Sequence, residues 1–99
     1  MIEVLKKEIA LKIKREIKSR GDCVFLSNAI FETLDVDLSY NTIRRFFNLL
    51  PSTKPSIKTL DTLAQFLVYR NYIDFTQNYK YKEKINLTEI IYKSVAENN

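Results

Sequence analysis

Apolar residues recur every three or four positions along most of this 99-residue chain. Ile2, Leu5, Ile9, Ile13 and Ile17 form the first such stripe. This spacing places apolar side chains on one face of an α-helix, whereas a strand would alternate at every second residue. No segment shows convincing strand alternation or an internal repeat. The sequence therefore predicts an all-α fold, a single domain over residues 1–99 built as a compact bundle of five to six short helices.

Capping residues predict where the first two helices begin and end. The first helix is expected from residue 2 to about residue 19, with Gly21 in the left-handed conformation just past its end. Ser27 is the predicted N-cap of the second helix, which runs to about Leu34. The apolar run at residues 23–26 either begins this helix early or approaches it as extended chain, and the sequence leaves both open.

Residues 38–50 predict a third helix with one apolar face and one polar face. Ser39 can cap it by accepting a hydrogen bond from the amide of Thr42, and the apolar residues at helical spacing face the core. These apolar residues are Ile43, Phe46, Phe47 and Leu50. The residues left for solvent or a partner are Tyr40, Asn41, Arg44, Arg45 and Asn48. Arginine and asparagine contact guanine and adenine edges in the DNA major groove, so this face is a candidate recognition surface.

Two prolines separate the third helix from the fourth. Pro51 and Pro55 bracket small polar residues and break the chain, because proline lacks the amide donor that a helix needs. Ser56 is the predicted N-cap of a fourth helix that ends near Val68, with Ile57 on its apolar face.

Two further helices are predicted after the fourth. Asn71 begins a fifth over residues 72–79, after which residues 80–84 form a charged connector. A last helix over about residues 86–97 starts with a pair that resembles a capping box, Asn86 and Glu89. Its apolar stripe either forms a homodimer contact or closes the core of the monomer. The stripe consists of Leu87, Ile90, Ile91 and Val95.

Several absences narrow the function. The chain has no histidine, one cysteine and one glycine, so the commonest general base, a multi-thiolate metal site and a glycine-rich phosphate loop are all missing. We therefore expect no enzyme, cofactor or metal. Cys23 is interpreted as a buried apolar residue rather than a reactive thiol. No apolar run could cross a bilayer or serve as a signal peptide, so a cytoplasmic protein with no membrane partner is expected.

Positive charge is concentrated in two parts of the chain. The net charge is +4, with a pI near 9.2. Residues 1–20 carry +4, residues 21–38 carry −4 and residues 39–59 carry +4 again. The third helix and the loop after it are thus positive where a nucleic acid would place its phosphates.

The order of elements in residues 26–68 resembles the helix-turn-helix of the phage repressor/Cro-like (XRE-type) DNA-binding family. The matching pieces are residues 27–34, the turn 35–38, the helix 39–50, and the proline-containing loop with the Leu-rich helix at 55–67. The turn is about two residues longer than is usual in that family. Residues 42–75 also resemble short bacterial proteins that carry a TLxRFF…KPS…TLxxLAxyLgY…DF pattern.

This resemblance implies a DNA-binding helix-turn-helix protein, a bacterial transcriptional regulator, whose partner is double-stranded DNA. The third helix would enter the major groove while loop residues and the start of the fourth helix contact phosphates. Arg44 and Arg45 point about 100° apart on a helix, so at most one is a central base contact. The predicted DNA-binding residues are Tyr40, Asn41, Thr42, Arg44, Arg45, Asn48, Ser52, Thr53, Lys54 and Lys58.

Two alternatives are weighed against this prediction. The chain can be a helical protein–protein interaction module that keeps the fold without binding DNA, in which case the arginines form a solvated helix face. The tyrosines near the fifth helix can stack single-stranded bases. A core role for them is favoured, because tyrosines at helical spacing usually pack with a wet hydroxyl. These are Tyr69, Tyr72, Tyr79 and Tyr81.

Overall fold

The computed structural model describes residues 1–79, and all regular elements in that range are helices. This confirms the predicted all-α fold. The helices are α1 (Ile2–Ile13), α2 (Arg20–Leu34), α3 (Tyr40–Phe46), α4 (Ile57–Phe66) and α5 (residues 72–79). Among residues 1–79, none is long and apolar enough to cross a bilayer. The connector at 80–84, the last helix at 86–97 and the homodimer contact assigned to it lie outside the described residues.

One core joins all five helices. α2 packs against both α3 and α4, and α1 packs against α4. Cys23 is fully buried, and this burial raises the pKa of its thiol, as expected for an apolar interior position. The buried apolar residues are Leu5, Ile9, Cys23, Leu26, Ile30, Leu38, Ile43, Phe46, Leu60, Leu63, Ala64, Phe66 and Phe75.

The boundary between α1 and α2 differs from the prediction. α1 ends at Ile13 because Lys14 adopts the left-handed conformation, with φ of 55°. α2 begins at Arg20, since Ser19 and Asp22 form a capping box in which each side chain accepts a hydrogen bond from the other residue's amide. Gly21 therefore lies in the first turn of α2, and its predicted role as the end of the first helix was wrong.

Ser27 was also assigned wrongly, because it lies inside α2 rather than at its start. Residues 23–26 begin the helix early, which resolves the alternative that the sequence left open. The Ser27 hydroxyl instead donates a hydrogen bond of 2.6 Å to the carbonyl oxygen of Leu38. α2 ends where Asp35 takes the left-handed conformation at φ 57°, and the Ser27 bond fastens the following turn to the helix.

α3 is shorter than predicted. Ser39 caps it, but the side chain accepts from the amide of Asn41 rather than that of Thr42. The helix has seven residues and ends at Phe46, and Asn48 beyond it has a left-handed φ of 62°. Asn48 is therefore not on the helix, contrary to the predicted span of 39–50.

α4 and α5 begin where the sequence indicated. Ser56 accepts from the amide of Thr59 at 3.2 Å, and Asn71 accepts from that of Asp74 at 2.8 Å. Ile57 is 66% exposed, so its predicted place on the apolar face was wrong. The helix also ends at Phe66 rather than near Val68.

Phe75 anchors α5 to the rest of the fold. Its ring is fully buried, with ring centroids of Tyr69, Tyr72 and Tyr79 at 5.1, 6.3 and 5.4 Å. These tyrosines pack around it, as the core interpretation predicted. The Tyr79 hydroxyl also bonds the Glu8 carboxylate of α1 at 3.2 Å, which brings the end of α5 against α1.

Truncation of Phe75 should destabilise the whole domain. We expect Phe75→Ala to lower the free energy of unfolding by about 3–5 kcal/mol, because it removes a buried ring and leaves a cavity. The matched control is Ile73→Ala, which truncates a side chain 62% exposed on the same helix and should cost about 0.5 kcal/mol or less. Urea denaturation followed by circular dichroism measures both. Equal losses would contradict the placement of α5.

The capping box should make the stability of the fold depend on pH. The amide of Lys18, then the hydroxyl and amide of Ser19, donate to the Asp22 carboxylate and hold its pKa below the ordinary value. A lowered folded-state pKa stabilises the fold above the unfolded-state pKa, and this contribution is lost as pH falls through the folded-state pKa. Between about pH 6 and about pH 2, wild type should lose more stability than Asp22→Asn. Parallel urea midpoints across that range would contradict the capping box.

Candidate nucleic-acid interface

The outer face of α3 is fixed by its buried face. Ile43 and Phe46 are buried, and successive helical residues are rotated by about 100°, so Asn41, Arg44 and Arg45 all lie on the side away from the core. Arg45 is exposed, whereas Arg44 is half-buried, and its Nη1 donates to the Asn41 Oδ1 at 3.2 Å. Arg45 is thus the freer of the two arginines, and Arg44 lies to one side.

A groove of about 440 Å³ opens beside Arg45. It brings together residues from α3, the loop after it, the start of α4 and the N-terminal part of α1. Six of the ten predicted residues line it, namely Thr42, Arg45, Asn48, Ser52, Thr53 and Lys54. Tyr40, Asn41, Arg44 and Lys58 do not.

Asn48 shapes this groove through its backbone. Its left-handed conformation reverses the chain after α3, while the amide of Leu49 bonds back to the carbonyl oxygen of Arg44 at 2.8 Å. Asparagine tolerates this conformation better than most residues. The reversal brings Ser52 and Thr53 next to Arg45, where Pro51 completes a second, shallower hollow.

Tyr40 lies on the opposite flank, where it contacts Arg20 from the start of α2. The Arg20 guanidinium carbon lies 5.0 Å from the centroid of the Tyr40 ring, and Nη2 donates to the tyrosine hydroxyl at 3.1 Å. Sequence reasoning missed Arg20 because it placed this residue in a linker. The Ser19-x-x-Asp22 spacing was the available signal, since a capping box there makes Arg20 the first residue of α2.

Only a few cations in the described range form ion pairs. Lys6, Arg15 and Lys18 form ion pairs with Glu3, Asp22 and Glu16. Within residues 1–79, no such pair is made by the predicted DNA-binding cations, which are Arg44, Arg45, Lys54 and Lys58. No ion pair within that range therefore offsets their charge, which remains available to attract an anion. Lys58 is exposed in the first turn of α4, apart from the groove lining.

Comparison of the chain with models of known protein families, with curated proteins and with solved structures found no match. The resemblance of residues 26–68 to the phage repressor/Cro-like family therefore stays a prediction from the sequence. The support for a function comes from the shape and charge of the surface around α3.

Proposed function

We propose that this protein binds double-stranded DNA through α3 and the adjoining groove, as a helix-turn-helix transcriptional regulator. The observation that carries the proposal is the convergence of Arg45 and Lys54 with hydroxyl and amide side chains on one open groove. These residues come from a helix and from a loop after it, so their meeting is a product of the fold. Cations with hydroxyl donors beside a helix with an exposed outer face form the combination that DNA backbone contacts use.

The positions of the residues suggest base contacts from α3 and phosphate contacts from the loop after it. Asn41 and Arg45 lie on the outer face of α3 and take the role of base contacts in the major groove. Ser52, Thr53 and Lys54 flank Arg45 and contact phosphates. A helix of seven residues is only about 10 Å long, so it spans few base pairs. Most of the affinity is therefore electrostatic, and binding depends strongly on salt.

A homodimer on two half-sites would extend this short contact, as helix-turn-helix proteins commonly do. The apolar stripe predicted at residues 86–97 is the surface proposed for that contact. The bacterial origin and the cytoplasmic location follow from the same sequence interpretation and remain expectations.

A protein-binding module is the second candidate function. Phe25 and Phe31 leave 41% and 53% of their surface exposed on α2, which is unusual for large aromatic side chains. Arg15 covers the Phe25 ring at 4.0 Å, so Phe31 is the more open of the two. Binding of a protein on this face would leave the groove beside Arg45 without a role.

Salt dependence distinguishes the two functions. We expect the chain to bind a random 20-base-pair duplex with an affinity that falls steeply as salt rises, measured by fluorescence anisotropy. The double variant Arg45→Ala with Lys54→Ala should weaken binding and reduce the slope of log affinity against log salt by at least about one, because Lys54 contacts a phosphate and each phosphate contact contributes about one.

The matched control removes the same charge from another surface. Lys7 is exposed on α1 and Lys14 is exposed just beyond its end, and both line a separate hollow. Changing both to alanine should leave the slope nearly unchanged, within about 0.5. No binding at low salt would refute the proposed function. Equal loss in both double variants would mean that net charge, and not this surface, attracts the duplex.

A further inference from the structure

α1 supplies a third cation to the groove beside Arg45. The Lys6 Nζ lies 3.2 Å from the Glu3 Oε1 and 5.5 Å from the centroid of the Phe46 ring on α3. Both Lys6 and Glu3 line the groove. The side chain of Lys6 is only 14% exposed, while that of Glu3 is 84% exposed. The ammonium group is thus held between two helices, and its carboxylate partner is largely in water.

The packing of Lys6 prepares it to receive an anion. Its hydrocarbon stem is covered and its charge lies near an aromatic ring, so little side-chain freedom remains to be lost on binding. Arg45 and Lys54 reach the same groove from α3 and from the loop. Three cations from separate elements therefore surround one cavity, and an anion inside it would interact with all three.

Glu3 is the one carboxylate among the groove-lining residues. Its ion pair with Lys6 is weak, because the carboxylate partner is largely in water and is screened by solvent and salt. An incoming phosphate can therefore replace it without the cost of opening a buried bond. The same carboxylate repels a phosphate that approaches the groove, so it opposes binding in two ways.

We propose that Lys6 is a phosphate-binding residue of the groove and that Glu3 competes with the DNA phosphate for it. Glu3 thereby lowers the affinity of the protein for DNA, and the pair sets how tightly the groove holds the duplex. This inference rests on the proposed DNA binding. It adds Lys6 as a phosphate contact and assigns Glu3 an effect that weakens binding. Removal of an acidic residue at this one position should tighten binding.

The first test is Glu3→Gln. We expect about threefold tighter binding to the random duplex at low salt, an effect that shrinks as salt screens the charge. The matched control is Glu16→Gln. Glu16 is also a well-exposed carboxylate paired with a lysine, Lys18, but it lies outside this groove. Equal tightening in both variants would overturn the proposal, because it would show a general effect of net charge.

The second test repeats Glu3→Gln in a Lys6→Met background. Methionine keeps the apolar contact with Phe46, and circular dichroism checks that the variant folds. Lys6→Met alone should weaken binding, and Glu3→Gln should gain clearly less in this background than in the wild-type chain. An undiminished gain would overturn the proposed competition. A wild-type chain that binds no duplex would refute the proposed function itself, which is distinct from binding that Glu3 does not affect.

A further comparison separates a DNA phosphate from a free phosphate ion. Inorganic phosphate replaces chloride at constant ionic strength, and duplex binding should be unchanged. If inorganic phosphate displaces the duplex from wild type but not from Lys6→Met, a free anion occupies the groove and the assignment to a DNA phosphate is wrong.

Discussion

The burial of Ile43 and Phe46 is the constraint on which the rest of the α3 surface depends. A helix of seven residues is far too short to be stable alone in water, so α3 forms only because tertiary packing holds its apolar face. Once that face is fixed, helical geometry places Asn41, Arg44 and Arg45 on the outer side of α3. The buried residues Ile43 and Phe46 thus determine which side chains form the polar outer face of α3.

Both ends of α3 are held by local bonds that complement this packing. Before the helix, the Ser27 hydroxyl fastens the Leu38 carbonyl group to α2, and Ser39 caps the first turn. After it, the left-handed Asn48 reverses the chain toward the loop. These bonds fix where α3 begins and ends relative to α2 and the following loop.

The sequence predicts the fold class, the existence of each described helix and three of the N-caps. It places the start of α2 wrongly because two serines compete for the role. Ser19 has an acidic residue three positions later and Ser27 has none, so the capping-box signal favoured Ser19. The end of α1 had no comparable signal in the sequence. Lysine has little local preference for the left-handed conformation that Lys14 adopts, so the residue type at this position did not indicate the end of the helix.

The candidate site was predictable only in part, for a similar reason. Arg45, Ser52 and Lys54 are close enough in sequence for a helix and a following loop to suggest their meeting. Lys6 and Glu3 are not, because their place in the groove depends on how α1 lies beside α3. Contacts between distant segments have no signature in one sequence. The helical pattern therefore predicted the outer face of α3. The groove beside Arg45 could be found only from the folded structure.

An NMR titration tests the central claim most directly. Amide spectra of the labelled protein are recorded while a random duplex is added at low salt, with the resonances of α5 as internal controls. We expect the largest shifts within residues 41–54 and at Lys6, because the outer face of α3 and its groove meet the DNA. Shifts confined to α5, or unchanged spectra, would contradict the proposed interface.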